Sequence, residues 1–196
     1  MPKEYLLQGV SFINDQNEYE LVNPKQRYSF VTVAQRLLSG RICIAGASLS
    51  HVKLALTKVE NYGSERLIPI GPGKVTPLSS LPILRDLIET QKLKLSVFEQ
   101  FVILLENEFM KIDEINDKLV DKIACAKIEA IAFAITSLIQ LKDGVGSLSL
   151  FENGPFGSKN DILYVFRFAE GDSGILQQKV FSNNFYFSKY FSNFLD

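Results

Sequence analysis

Histidine and cysteine are scarce in this 196-residue chain: His51 is its one histidine, and Cys43 and Cys125 are its two cysteines. A single histidine inside a helical pattern, far in sequence from a nucleophile, gives no support to a Ser-His-Asp or Cys-His site. It reads as a helix-surface or packing residue. The cysteines lie far apart, with no further Cys or His at metal-ligand spacing, so both read as small buried apolar residues in a reducing compartment. Charge of one sign is also missing. The 21 Lys plus Arg nearly balance the 22 Asp plus Glu and form no like-charge block, so neither nucleic acid nor an anionic membrane is an expected partner. A small molecule or another protein fits better. The start, "MPKEYLLQGV", lacks the charged n-region and apolar core of a signal peptide, so secretion is not expected. "GPGK" at 71–74 lacks the glycine spacing and the Ser or Thr of a P-loop and follows no evident strand, and "GVGSLS" lacks the third glycine and βαβ setting of a dinucleotide turn.

A hydrophobic content of 46% is enough for one sizeable core. Residues 1–28 are polar, with turn formers around two short apolar pieces, and read as a strand remnant and linker. From 29 to 62 Val33, Leu37, Ile44, Leu49, Val52, Leu56 and Val59 recur at mostly helical spacing. The small residues of "SGRICIAGASLS" within that helix, Gly40 and Gly46 among them, point either to a tight helix crossing or to close approach of a flat ligand. Three prolines and three glycines between 63 and 77 predict a loop after a helix end near Gly63. A second helix over 78–110 follows, with Pro82 in its first turn. A third covers 116–142, with Lys118, Lys122, Glu129 and Gln140 on one face. Its apolar run at 123–141 is about long enough to span a bilayer but carries Lys127 and Glu129, so a buried core helix is expected and no membrane span.

The glycines of 142–161 predict a functional loop, "ILYVFRF" at 162–168 reads as strand-like, and a last helix starts near Asp172 or Ser173. The aromatic tail from Phe181 onward packs on the bundle or faces a partner. The expected fold is all-α, an antiparallel up-down four-helix bundle over 29–196 after an irregular segment at 1–28.

Chemistry concentrates at "AEGDSG", where Asp172 and Ser173 suffice to cap the last helix and leave Glu170 unassigned. Glu170 precedes Gly171, a residue that permits a sharp bend or the approach of a ligand. It is either an incidental turn residue or a general base at a helix mouth, where the dipole favours an ionised carboxylate.

"FAEGDSGILQQKV" resembles the segment around the catalytic glutamate of acyl-CoA oxidases, usually Phe-Glu-Gly-Asp-Asn before a Leu-Gln-Gln or Met-Gln-Gln run. The related acyl-CoA dehydrogenases commonly have Glu-Gly-Thr there, so Asp172 leans toward the oxidases. "LLSGRICIAGASLSHVKLALTKVENYGSER" is similar to the family's Ser-Gly-Arg helix with its Tyr-Ser-x-x-Arg end. "PKEYLLQGV" and "PKQRYSF" resemble the close of the family's β-domain and the approach to its first C-terminal helix. The resemblance implies the C-terminal helical catalytic domain of the acyl-CoA dehydrogenase/oxidase superfamily, here a segment of a longer enzyme or a truncated product. It implies FAD as cofactor, a fatty acyl-CoA substrate, peroxide-forming α,β-dehydrogenation in fatty acid β-oxidation, a homodimer, and the peroxisome, although the chain ends "NFLD" and not in a Ser-Lys-Leu type signal. By the same resemblance Glu170 is the base, Arg66 and the glycines Gly144 and Gly146 contact FAD, and Arg41 and Gly171 lie at the substrate. The family's Arg-x-Gln-Phe continues here as Arg66, Leu67, Ile68 and Pro69. A non-catalytic helical scaffold derived from the family is the alternative.

Overall fold

A computed structural model describes residues 11–22, 36–111, 116–151, 156 and 159–183. The chain divides into two compact units, Met1–Leu37 and Leu38–Asp196. In the first, β1 (Ser11–Ile13) and β2 (Tyr19–Leu21) pair antiparallel, Ser11 opposite Leu21. Asn14 shapes the turn by accepting the N–H groups of Gln16 and Glu18 on its side-chain oxygen.

The second unit is helical, with α1 (Arg36–Glu65), α2 (Pro82–Lys111), α3 (Asp117–Val145), α4 (Lys159–Phe168) and α5 (Ser173–Asn183). Buried residues on α1 fall at Leu38, Ile42, Ala45, Leu49, Val52, Leu56 and Val59, alternating steps of four and three. The same alternation recurs on α2 at Leu84, Ile88, Gln91, Leu95, Phe98, Val102 and Leu105. That period keeps one seam facing a partner helix. Lys53 pairs with Glu99 at 3.0 Å and Lys92 with Glu60, so number rises along α1 as it falls along α2 and the two run antiparallel. Lys122 with Glu108, and Ser137 with Gln91, set α3 antiparallel to α2 in the same way.

α3 is the central helix. Leu119, Ile123, Ala130, Ala134 and Leu141 enter the main core, while Ala124, with Cys125 and Ile128 beside it, meets Leu176 and Val180 of α5. Both α1 and α3 are long and apolar enough to cross a membrane, and about half of each apolar window is covered by the bundle itself.

The all-α bundle is as expected, with differences in detail. Five helices are described: α5 is the expected last helix, starting at Ser173, and α4 is an additional short helix before it. The strand-like run at 162–168 is part of α4, because Leu163 is buried and Phe166 packs on the same core at helical spacing, while Asp161 in the first turn and Arg167 in the last suit the helix dipole. Helix α1 continues through Gly63 to Glu65. The loop expected after it is a hairpin, β3 (Leu67–Gly71) and β4 (Lys74–Pro77), so a strand does precede "GPGK", with Gly73 at φ +71° in its tip. Helix α2 starts at Pro82 after a 3-10 turn, Leu78–Ser80, and α3 extends past Lys142 to Val145, drawing Gly144 out of the expected loop. Cys43 is exposed and Cys125 half-buried, because Cys43 lies off the apolar seam of α1. The expectation for the tail falls mostly on residues 184–196, outside the described residues.

Candidate active site

Helices α4 and α5 are joined by residues 169–172, and the candidate site lies at this junction. Glu170 has φ +54° and Gly171 φ +103°. The left-handed region costs a residue with a side chain roughly 1–2 kcal/mol, so a helix end normally puts glycine or asparagine there. Here a glutamate occupies it and the glycine follows.

Four side chains fix the junction. Asp172 caps α5: its Oδ1 accepts the N–H groups of Gly174 at 2.8 Å and Ile175 at 3.0 Å. Ser173 does not share that cap. Its hydroxyl instead donates to the Arg167 carbonyl at 3.0 Å, tying α5 back to α4. Arg41 of α1 donates from Nε to the Glu170 carbonyl at 2.9 Å. Lys127 of α3, fully buried at 0% exposure, donates from Nζ to the carbonyls of Ala169 at 2.6 Å and Gly171, with Arg167 at 3.5 Å. Carbonyls on both sides of Glu170 thus converge on one ammonium, while its own carbonyl is held by a guanidinium from another helix.

Burial pulls Lys127 below the ordinary lysine range and neighbouring Arg41 adds to this, while Asp172 and Glu170 oppose it. Burial also lowers Arg41, against the charge of Glu170, yet a guanidinium so placed keeps its proton.

The Glu170 side chain lies over Gly40. A Cβ at residue 40 would sit 2.6 Å from Glu170 Cδ and 2.8 Å from Oε1. Within the small-residue stretch of α1, Gly40 therefore serves a close approach, and what approaches is this carboxylate, whereas nothing lies within 4 Å of where a Gly46 Cβ would stand. Glu170 is half-buried, and among the described residues neither its carboxylate nor its own N–H has a hydrogen-bond partner. A carboxylate on a held backbone, with no hydrogen bond among the described residues, can take a proton from a group brought to it.

The structure brings Glu170, Arg41 and Gly171 together, with Arg41 Nη2 3.4 Å from where a Gly171 Cβ would stand. Among the described residues, no hydrogen bond or ion pair joins Arg66, Gly144 or Gly146 to this junction. Arg66 follows α1, exposed and with its guanidinium unpaired among the described residues, which suits an anionic group such as a pyrophosphate. Gly144 lies in the last turn of α3, where a Cβ would meet Leu84 and Leu87 at 3.1 and 3.2 Å, so its smallness serves helix packing. Gly146 ends α3 at φ +65° with open space beside it. His51 packs edge-on to Phe166 at 6.2 Å, in keeping with a packing role. Lys127 was missed as a site residue. Its signal was a cation within the most apolar run of the chain.

No family model matches this sequence, and no curated protein does. Solved structures do match in fold. An acyl-CoA dehydrogenase from Geobacillus kaustophilus superposes with TM-score 0.67 at 13% identity, over 80% of this chain and 39% of that one. A structure from Acidaminococcus fermentans described as an electron transferring flavoprotein gives 0.65 at 20% identity, over 79% and 38%. An acyl-CoA oxidase from Yarrowia lipolytica gives 0.59 at 15% identity, over 92% and 28%. The chain thus has the helical fold found in acyl-CoA dehydrogenases and oxidases, and spans well under half the length of these structures.

Proposed function

We propose that this chain is the base-bearing helical segment of an FAD-dependent acyl-CoA oxidase, in which Glu170 removes the α-proton of a fatty acyl-CoA. The observation that carries the proposal is the Glu170 junction: a carboxylate without a hydrogen-bond partner among the described residues, on a backbone gripped from α1 and α3 and seated over Gly40. The acyl-CoA dehydrogenase and oxidase of the same fold support the substrate class, and the flavoprotein supports the cofactor.

In this reading the α C–H bond breaks toward a Glu170 oxygen, which keeps the proton, and the electron pair left behind forms the α,β double bond as the β-hydrogen departs as hydride. FAD, when bound, would supply the acceptor for that hydride, and with dioxygen as final oxidant the two electrons and two protons would leave as hydrogen peroxide. The Glu170 N–H, without an acceptor among the described residues, would donate to the thioester oxygen and so stabilise charge developing as the proton leaves. Arg66 would hold the cofactor's pyrophosphate.

The test is the full chain incubated with FAD and a fatty acyl-CoA, followed by its visible spectrum and by peroxide formation. Bound flavin with peroxide release, abolished in Glu170→Gln while the flavin stays, is the expected result. Turnover unchanged in that variant removes Glu170 from the reaction. Flavin bound near stoichiometry counts against the second reading, a non-catalytic helical scaffold of this fold.

A further inference from the structure

We infer that Lys127 is a positioning residue for Glu170: its buried ammonium gathers the carbonyls on either side of Glu170 and so holds that residue in the left-handed conformation that seats its carboxylate over Gly40. The inference rests on the reading of Glu170 as the base.

Lysine is almost never fully buried without a partner, because the ammonium gives up its water. The hydrogen-bond partners of Lys127 are the carbonyls of Ala169 and Gly171, with Arg167 at longer reach, while the charges of Asp172 and Glu170 act on it without a hydrogen bond. The Arg167 carbonyl is one that α4 leaves unpaired at its C-terminus, where the dipole is negative, and those of Ala169 and Gly171 lie just beyond the helix end. Both alternate carbonyls flanking residue 170 turn to one point inside the bundle. The residue between them takes positive φ, and so does Gly171.

The other holding groups already have separate tasks. Asp172 caps α5, Ser173 links α5 to Arg167, and Arg41 holds the carbonyl of Glu170 itself. None of them engages the carbonyls on both sides of Glu170. Lys127 stands on α3, the central helix, so it references the carboxylate to the most buried part of the fold. With no exposed surface it cannot touch substrate, and its influence on the reaction passes through the backbone of residues 169–171.

The first test needs no variant. In the full chain, labelled with 15N and 13C, scalar couplings across hydrogen bonds should connect Lys127 Nζ with the carbonyl carbons of Ala169 and Gly171. A freely exchanging ammonium without those couplings overturns the inference. In Lys127→Ala, amide exchange at residues 169–173 should accelerate at least tenfold while the amides of α1 and α2 keep their protection, and added n-propylammonium should restore the slow exchange. Uniform acceleration through all helices, with no rescue, makes Lys127 a general stability residue and sinks the positioning role. In flavin-loaded protein the same variant should lose about a hundredfold in kcat, the scale of an ångström-sized misplacement, with KM and flavin absorbance retained. Full kcat alongside faster exchange also overturns the inference. If the parent chain shows no turnover, the function proposed above fails, and the couplings and exchange still decide the place of Lys127 in the fold.

Discussion

Glu170 fills the space that Gly40 leaves open, with Cδ 2.6 Å from where a Cβ on residue 40 would stand. A glycine in the interior of a long helix costs about 1 kcal/mol relative to alanine, and in this chain that cost makes room for a carboxylate. Gly40→Ala should leave Tm unchanged or slightly raised, because the obstructed atoms are the end of a flexible side chain that can swing away while helix propensity improves. Turnover should fall at least tenfold. A Tm loss of many degrees, measured by circular dichroism, would show that the close contact serves folding.

The left-handed backbone of Glu170 leads to an opposite prediction for stability and activity at one residue. Glu170→Gly should stabilise the chain by up to about 1 kcal/mol by relieving the positive-φ cost, while removing the proposed base altogether. Glu170→Gln should leave stability within about 0.5 kcal/mol and also lose turnover. Urea midpoints of the two variants check this; destabilisation by glycine would mean that the side chain contributes packing that outweighs the strain.

Cys125 offers a test of the packing between α3 and α5. Burial, reinforced by the charges of Glu129 and Asp121, pushes its thiol up to about 12 from 9.0. The folded chain therefore keeps a proton that the unfolded chain loses above pH 9. This group's contribution to stability is complete below pH 9 and is lost as pH rises toward 12. At pH 8 iodoacetamide should modify exposed Cys43 first. Cys125 should react about a thousandfold more slowly than an ordinary thiol, and Leu176→Ala, which thins its cover, should speed it. Equal labelling of both cysteines in the native protein would contradict the packing.

Between α2 and α3 the buried amide of Gln91 accepts from Ser137 at 2.7 Å and donates to Gln140 at 2.6 Å. It stands on the apolar seam of α2, between Ile88 and Leu95. Ser137→Ala should cost about 1–3 kcal/mol, since Gln91 Oε1 then loses its donor. Gln91→Leu combined with Ser137→Ala should recover part of that, because an apolar pair leaves no orphaned acceptor. Chemical denaturation of the double-mutant cycle measures the coupling, and simple additivity would mean that Gln91 and Ser137 act independently.

The helical core was legible because periodicity needs only local information. Steps of three and four along 29–62 and 78–110 determine which face is buried whatever packs against it, and the breakers at 63–77 mark where the first helix gives way. The run "ILYVFRF" was misread because its β-branched and aromatic residues suit a strand, and only the bundle offers Leu163 and Phe166 a helical groove to fill. Arg41 was legible only through the resemblance of its Ser-Gly-Arg helix, and Asp172 as a cap.

The sequence by itself determined three long amphipathic helices, a capped helix start at Asp172, and a carboxylate at residue 170 not needed for that cap. Tertiary structure decided what those residues do to one another. The glycine opposite Glu170 lies 130 positions earlier in the chain, and the ammonium that binds the carbonyls on either side of it comes from the middle of the most apolar helix. No local pattern encodes either contact, because both depend on how α1 and α3 pack around the α4–α5 junction. That packing turns an acidic turn residue into a carboxylate of defined position.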